Sequence, residues 1–391
     1  MLVLRAARLF DSRHRQFVQQ PLVVVEDGRI SGLESGSFEP PSAADVQDFG
    51  DATLLPGLLD AHVHLGFDAS REAVAHMQAD SDATLLLRMR LAAQRALAAG
   101  ITTVRDLGDR HYLGTTLRDW YRGGSEPGPE IVAAGPPITV TGGHCHFMGG
   151  EADGELEVRR AVRAHVKAGV DVIKIMATGG HMTPGTNPSL PQFTVAELRA
   201  AADEAHRLGR SITAHAHGPT GITAAVEAGV DCIEHCSFLV GRARHPDPRL
   251  IERIAERGIA VSPTLGMLPA DDGATPTELG ALAESFLPIL AQMHQLGVRL
   301  IGSTDAGISP SKPHDVLPYA IAFLARAGLS HTDALAAATA VSAEVCGLAD
   351  RKGALEVGQD ADVLVVGGDP SRTLDTLRDV RAVYRAGQRV G

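Results

Sequence analysis

From about residue 54 onward, short apolar segments alternate with segments rich in alanine, leucine, arginine and glutamate, and this alternation constrains the fold most. The apolar segments have the length of buried strands. Several of the helical patterns between them end in a glycine before the next strand, as at Gly100, Gly169 and Gly229. The predicted strands are residues 54–65, 102–107, 130–138, 170–176, 211–216, 230–235, 259–264 and 298–304. The predicted helices are residues 83–99, 155–168, 195–208, 221–228, 249–257 and 277–296.

Eight strands alternating with helices predict an α/β protein built on a (β/α)₈ TIM barrel. The alternative is a doubly wound sheet, which normally carries a glycine-rich phosphate loop after its first strand, and no such loop is visible. Segments of β character also occur at both ends of the chain, the second set after a predicted helix at residues 331–348. The predicted domains are therefore a small β-sandwich of residues 1–54 and 352–391 and a barrel of residues 55–351.

The charge balance disfavours several classes of function. The 391 residues include 36 Lys and Arg against 47 Asp and Glu, a formal net charge of −11. An acidic chain without a basic run is not expected to bind nucleic acid or an anionic membrane. No charge-free apolar stretch of about 18 residues appears, and the N-terminus lacks the apolar core of a signal peptide. Four cysteines do not make a disulfide framework in a chain this long, so a cytoplasmic location is expected.

Histidine is unusually frequent, with 17 residues against one Trp and four Tyr. His62 and His64 stand two residues apart on the first predicted strand, so their side chains point the same way. At the C-terminal end of a barrel strand they would project into the mouth where barrel enzymes place their sites. Two adjacent imidazoles suit a divalent metal ion such as Zn²⁺. The spacing alone is a weak signal, because it recurs twice more in the chain, from His144 and from His215.

Other residues with metal-binding side chains stand near the ends of later predicted strands. Lys174 lies near the end of the apolar fourth strand, where an amine is costly unless it is paired or chemically modified. A buried salt bridge or a side chain reaching to the surface would also explain it. His215, His235 and Asp305 end the fifth, sixth and eighth strands. Five of eight strands that end in potential ligands are hard to reconcile with chance.

The order of these residues resembles the amidohydrolase superfamily of the binuclear metal type. The order is HxH on the first strand, Lys on the fourth, His on the fifth and sixth, and Asp on the eighth. The resemblance covers nearly the whole chain, from PGLLDAHVH to the closing GALEVGQDADVLVV. Within the superfamily, four segments are most similar to the prolidase-like and imidazolonepropionase-like branch, whose members hydrolyse dipeptides and N-acyl amino acids: IKIMATGG, ITAHAHG, GVDCIEHC and TGGH at residues 141–144.

The resemblance implies a centre of two divalent metal ions, with Zn²⁺ expected and Mn²⁺ or Co²⁺ as alternatives. His62, His64 and Asp305 would hold the more buried ion. His215 and His235 would hold the second. Lys174, carboxylated by CO₂, would bridge both ions, and the resulting carbamate anion would resolve the cost of burying the amine. The ions would share a hydroxide, from which Asp305 would take the proton as general base and pass it to the leaving amine as general acid.

Three further histidines are assigned to the substrate. The resemblance suggests that His144 binds the substrate carbonyl or its oxyanion, which makes it a catalytic residue alongside Asp305 and Lys174. His217 points the same way as His215, so geometry alone leaves open which of them is the metal ligand. The family pattern favours His215 and leaves His217 in the substrate pocket. His181, on the loop after the fourth strand, contacts substrate or is solvated.

The predicted function is metal-dependent hydrolysis of an amide bond in a small molecule, with a dipeptide or an N-acyl amino acid as the expected substrate. Hydrolysis of a cyclic amide, a lactone or a carbamate uses the same chemistry and remains an alternative. Deamination is a weaker alternative, because superfamily deaminases generally use one metal ion and lack the bridging lysine. A non-enzymatic scaffold is disfavoured, because all six ligand positions are filled. The resemblance is also compatible with a homo-oligomer.

Overall fold

A computed structural model of the chain describes residues 1–36, 39, 41–124, 126–269 and 278–390, apart from the side chains of residues 278–280. The described strands are β1 (Leu2–Arg5), β2 (Arg8–Asp11), β3 (Gln16–Gln19), β4 (Pro21–Glu26), β5 (Arg29–Ser35), β6 (Asp45–Asp48), β7 (Ala52–Pro56), β8 (Leu58–Val63), β9 (Ile101–Asp106), β10 (Glu130–Ala133), β11 (Val172–Met176), β12 (Ser211–Ala216), β13 (Cys232–His235), β14 (Leu239–Val240), β15 (Ala243–Arg244), β16 (Ala260–Ser262), β17 (Arg299–Leu300), β18 (Val363–Gly367), β19 (Val380–Arg385) and β20 (Gln388–Arg389).

The helices follow the strands in the predicted alternation. The described α-helices are α1 (Ala73–Ala79), α2 (Asp82–Ala98), α3 (Leu113–Arg122), α4 (Gly154–Lys167), α5 (Val195–Arg207), α6 (Pro219–Ala228), α7 (Pro248–Glu256), α8 (Glu278–Glu284), α9 (Leu287–Gln295), α10 (Leu317–Arg326), α11 (His331–Ala337) and α12 (Ala340–Val345). Two short 3₁₀ helices complete the described elements, His146–Met148 and Leu374–Arg378. Among the described residues, no helix has the length and apolarity needed to cross a membrane.

Eight parallel strands form the centre of the molecule in two sheets. One sheet has the order β10-β9-β8 and the other the order β11-β12-β13-β16-β17, with every pair parallel. Two single parallel bridges join the sheet edges, Ile138 to Ile175 on one side and Val63 to Ala306 on the other. The fold is therefore mixed α/β, with parallel strands joined along both edges.

The first predicted strand, residues 54–65, is two strands in different sheets. β7 pairs antiparallel with β18 and parallel with β2, whereas β8 pairs with β9. Gly57 separates them, and a Cβ atom at this position would lie 2.1 Å from Oγ1 of Thr102. The chain passes from one sheet to the other within this single residue. The sequence therefore shows one continuous apolar run where the structure has two strands.

Two long predicted helices are also divided. Residues 277–296 contain α8 and α9, and Thr277 lies outside the described residues. Pro288 lies in the first turn of α9, where a helix tolerates a residue without a backbone N–H. In the interior of one continuous helix, the same proline would break the hydrogen-bond pattern. Residues 331–348 contain α11 and α12, because the carbonyls of Ala337 and Ala338 accept hydrogen bonds from Gly302 and Leu59 instead.

Strands from both chain ends share a second sheet system. The six-stranded sheet has the order β20-β19-β18-β7-β2-β3, and a four-stranded sheet has the order β5-β4-β1-β6. Their apolar side chains form a core cluster that is separate from the main one and includes Leu4, Val23, Leu54 and Val363. The two ends of the chain are therefore packed together, as the sequence predicts.

Candidate active site

The residues predicted to carry chemistry line one cavity of about 380 Å³. They lie on or just after six separate parallel segments, and the fold brings all of them together. The predicted residues that line this cavity are His62, His64, His144, Lys174, His181, His215, His217, His235 and Asp305.

The register of the parallel strands sets the positions of these side chains. Met176 on β11 pairs with His215 on β12, and Ala216 on β12 pairs with His235 on β13. The backbone N–H of Asp305 donates to the carbonyl of His62 at 2.8 Å, which places this aspartate beside the end of β8. His235 and Asp305 have positive φ angles of 65° and 61°. Strained backbone of this kind is concentrated at functional sites.

Three side-chain atoms of the cavity lining form a compact triangle. His62 Nε2 and His64 Nε2 lie 3.3 Å apart, and Oδ1 of Asp305 lies 3.4 Å and 3.3 Å from them respectively. A tetrahedral zinc ion with bonds of about 2.0–2.1 Å has ligand atoms about 3.3–3.4 Å apart. The three donors therefore fit one divalent ion.

A second group of donors lies beside the triangle. The ligand atoms of His215, His217 and His235 all lie within 4.8 Å of one another, and those of His235, His62 and Asp305 do so as well. Burial, followed by the charges of neighbouring histidines, lowers the pKa of each of His215, His217 and His235 well below its ordinary value. These imidazoles are therefore neutral near pH 7, which is the form that binds a metal ion.

Hydrogen bonds leave one ring nitrogen of each histidine in this second group facing the cavity. His215 Nε2 donates to the carbonyl of Gly179 at 3.0 Å, which leaves Nδ1 as the potential ligand. Nδ1 of His235 hydrogen-bonds Oγ1 of Thr264 at 2.8 Å, which leaves Nε2. Nδ1 of His217 is 2.9 Å from Oγ of Ser237, so its Nε2 is also free. The choice of His215 over His217 as a ligand thus stays a prediction from the family pattern.

Lys174 is buried among these donors, with 1% of its surface exposed. Among the residues that the structure describes, no carboxylate lies within ion-pair distance of its amine, so neither structural alternative for this lysine applies. Burial lowers the pKa of Lys174. Burial is the main cause of the lowered pKa values of His62 and His144, and the positive charge of Lys174 is the second cause for both. A buried amine biased towards its neutral, nucleophilic form is suited to react with CO₂.

Glu234, which the sequence analysis does not single out, is in direct contact with the predicted metal ligand His62. Its Oε2 accepts a hydrogen bond from Nδ1 of His62 at 2.7 Å, and its Oε1 accepts from Arg105 Nη2 at 2.9 Å and from the hydroxyl of Thr213. Burial would raise the pKa of Glu234, but Arg105 and His62 outweigh it and hold the carboxylate ionised. A carboxylate on the second ring nitrogen fixes the orientation of a ligand histidine. The available signal was an acidic residue next to a candidate ligand on a buried strand.

Replacing Glu234 by glutamine is expected to weaken metal binding by about 10- to 100-fold, because the amide cannot hold His62 as the carboxylate does. Metal titration against a competing chelator measures this loss. Glu204→Gln is the matched control, since Glu204 is also buried and paired with arginines but lies on α5, outside the cavity lining. Unchanged metal affinity in folded Glu234→Gln would contradict the role.

His144, predicted to bind the substrate carbonyl, is a buried residue of the cavity lining. His144 is 4% exposed, its Nδ1 is 3.1 Å from Oγ1 of Thr183, and its ring centroid is 4.8 Å from that of His215. Burial and the charge of Lys174 lower the pKa of His144 to about 4. A Cβ atom on Gly180 would lie 2.2 Å from His144 Nε2, so only glycine admits this ring position. His144 is thus a neutral imidazole held at the cavity wall.

Comparison with known proteins identifies a family, related sequences and a similar structure. Residues 53–390 match the sequence model of the Amidohydrolase family. Ochratoxinase of Aspergillus niger is 30% identical over 370 residues, covering 84% of this chain and 73% of ochratoxinase. Imidazolonepropionase of Saccharopolyspora erythraea is 28% identical over 240 residues, covering 56% of this chain and 57% of the relative. The crystal structure of a Xaa-Pro dipeptidase with bound methionine superposes with a TM-score of 0.86 and 28% identity, covering 100% of this chain and 99% of the dipeptidase.

Proposed function

This chain belongs to the amidohydrolase family and is a metal-dependent enzyme of that family. From this premise, we propose that it hydrolyses the amide bond of a dipeptide or an N-acyl amino acid. The triangle of His62, His64 and Asp305, at the spacing of metal ligands, is the observation that carries the proposal. The similarity to a Xaa-Pro dipeptidase that holds methionine, an amino acid, in its active site supports the substrate class.

In this proposal, His62, His64 and Asp305 hold one divalent ion and His215 and His235 hold the other. Lys174 would be a ligand of both ions once its neutral amine has added to CO₂ and released one proton, which gives an anionic carbamate. When bound, the ions supply a water activated at neutral pH and a Lewis acid for the substrate carbonyl. The expected metal is Zn²⁺, and Mn²⁺ or Co²⁺ would fit the same donors.

In this proposal, Asp305 transfers one proton and His144 stabilises the charge on the substrate carbonyl oxygen. Asp305 accepts the proton of the attacking water and returns it to the nitrogen of the leaving amine. Burial would raise the pKa of Asp305, but the charge of His62 and the hydrogen bond with His64 outweigh it and lower the pKa. Asp305 is therefore ionised at neutral pH, which is the protonation state that its proposed role requires. The neutral imidazole of His144 donates a hydrogen bond to the carbonyl oxygen as its negative charge develops.

The same proposal includes the architecture that holds the site. The eight parallel strands close a (β/α)₈ barrel over residues 55–351, and the sheets from both chain ends form a β-sandwich of residues 1–54 and 352–391. The backbone hydrogen bonds from Ile138 to Lys174 and from Asp305 to His62 support closure, since they cross both edges of the two parallel sheets. His62 and Asp305 then stand where barrel enzymes place their catalytic groups.

A substrate panel tests the proposed function on the metal-loaded protein. Dipeptides and N-acyl amino acids should release free amino acid, whereas cyclic amides, lactones, carbamates and aminated bases should react weakly. Activity should disappear after dialysis against a chelator and return with Zn²⁺, Mn²⁺ or Co²⁺. A cyclic amide, lactone or carbamate that reacts best would replace the proposed substrate class, and deamination alone would overturn the amide assignment.

A further inference from the structure

Arg244 reaches the cavity from a hairpin that follows β13. The hairpin consists of β14 and β15, in which Leu239 pairs with Arg244. The N–H of His245 donates to the carbonyl of Phe238 at 2.7 Å and closes the hairpin. Arg244 therefore lies beside Leu239, and it lines the same cavity as His235.

The guanidinium of Arg244 is held in place by uncharged groups. It donates to the carbonyl of Ser237 at 2.8 Å, the carbonyl of Leu282 at 2.7 Å and the hydroxyl of Ser285 at 2.9 Å. Its carbon lies 4.5 Å from the ring centroid of Phe286. A guanidinium has five N–H donors, so about two remain for a ligand. The neighbours therefore fix its position without neutralising its charge.

No carboxylate within the described part of the chain forms an ion pair with Arg244. Burial lowers its pKa to about 10, so the guanidinium is still charged at neutral pH. Lys174 and Lys312 also line the cavity. Lys312 differs from Arg244, because it donates to the carbonyls of Thr264 and Thr304 and has the negative charges of Asp305 and Asp60 nearby. A partly buried cation without a counterion is costly, and an anionic ligand would offset that cost.

Arg244 is linked through Ser237 to His217, one of the second group of histidines. Ser237 connects the two, because its carbonyl accepts from Arg244 and its hydroxyl is 2.9 Å from Nδ1 of His217. The charge of Arg244 also contributes to the lowered pKa of His217, after burial and the neighbouring histidines. The cavity lining also includes the apolar residues Leu239, Leu265, Met267, Leu282 and Phe286. Of these, Leu239, Leu282 and Phe286 contact Arg244.

We propose that Arg244 determines specificity by binding the free α-carboxylate of the substrate, with the apolar residues of the lining receiving the side chain of that amino acid. The enzyme would then require a C-terminal carboxylate next to the scissile amide and would disfavour internal or amidated peptides. This inference rests on the proposed function, because it assigns the carboxylate end of the same substrate. Arg is suited to the task because its planar fork binds a carboxylate through two parallel hydrogen bonds.

The test compares matched acids and carboxamides on the metal-loaded protein. N-acetyl-L-phenylalanine and N-acetyl-L-methionine are assayed for acetate release beside their C-terminal carboxamides. The wild type should prefer each acid by about 10- to 100-fold in kcat/KM, as expected for a charged hydrogen-bonded pair. Arg244→Gln should lose this preference mainly through a higher KM for the acids, and Arg244→Lys should keep part of it.

Arg257→Gln is the matched control, because Arg257 also donates to a backbone carbonyl, that of Val226, but lies outside the cavity lining. It should retain the full preference for the acids. A wild type that does not distinguish acid from carboxamide would overturn the inference, as would folded Arg244→Gln that still prefers the acid. Either result would leave the proposed amide hydrolysis intact.

A binding measurement separates this inference from the proposed function. Calorimetry compares L-phenylalanine with L-phenylalaninamide on the zinc-loaded wild type and on Arg244→Gln. The wild type should bind the acid at least about tenfold more tightly, and the variant should bind the two alike. If no acylated substrate is hydrolysed but this difference holds, the proposed function fails and the carboxylate site stands. Equal binding of the two by the wild type overturns the carboxylate site, whatever the activity.

Discussion

Asp305→Asn is expected to lower kcat by about 10²- to 10⁴-fold, the range attributed to one general acid–base group. Asparagine has the shape of aspartate but cannot accept a proton from the attacking water. Its amide oxygen can still occupy the place of Oδ1, which lies 3.3–3.4 Å from the ring nitrogens of His62 and His64. The loss should therefore fall on turnover more than on folding. Steady-state kinetics with thermal unfolding of the same samples measures both.

Asp153→Asn is the control for that substitution. Asp153 accepts hydrogen bonds from Thr141, close in sequence to His144, but it does not line the cavity. Its variant should keep nearly full activity. If Asp305→Asn retains its metal and loses less than about tenfold in kcat, another group moves the proton and the assignment of Asp305 as the base is wrong.

Lys174→Ala is expected to abolish most activity and to reduce the bound metal, because the bridging carbamate cannot form. Short carboxylic acids such as acetate or propionate should restore part of the activity, since they can enter the space left by the side chain and supply the missing anion. The measurements are kcat at increasing carboxylate concentration and metal content by elemental mass spectrometry.

Two variants serve as controls for Lys174→Ala. Lys167→Ala removes an exposed lysine at the end of α4 and should change nothing. Lys174→Arg keeps a long cationic side chain that does not form the carbamate, so it should be inactive and should not respond to added carboxylic acids. Full activity of Lys174→Ala without any added acid would end the argument for a carboxylated lysine.

Much of the site is predictable from local patterns in the sequence. His62 and His64 are two apart on a strand, and Lys174, His215 and His235 each stand near the end of an apolar run. Parallel strands gather their ends at one edge, so these positions were expected to meet. In the structure all of them line one cavity, while their roles stay predictions.

The remaining features depend on contacts between distant residues, which a strand pattern does not encode. Arg105 is next to Asp106 in the sequence, but its guanidinium contacts Glu234, 129 positions away. Side chains of consecutive strand residues point to opposite faces, which separates Arg105 from Asp106. Arg244 reaches the cavity because it lies on the second strand of a hairpin. At Gly57 the chain passes from one sheet to another, and no polar residue in the sequence marks that point.

We propose that this cavity binds two divalent ions with Lys174 as a ligand of both, and the metal stoichiometry of the protein distinguishes this centre from a single-ion site. The protein is purified without chelators from medium supplemented with zinc and bicarbonate, and its metal content is measured by elemental mass spectrometry. About two transition-metal ions per chain are predicted for the wild type, with fewer in Lys174→Ala. One tightly held ion per chain, unchanged in Lys174→Ala, or no ion at all after addition of Zn²⁺ and bicarbonate, would contradict the claim.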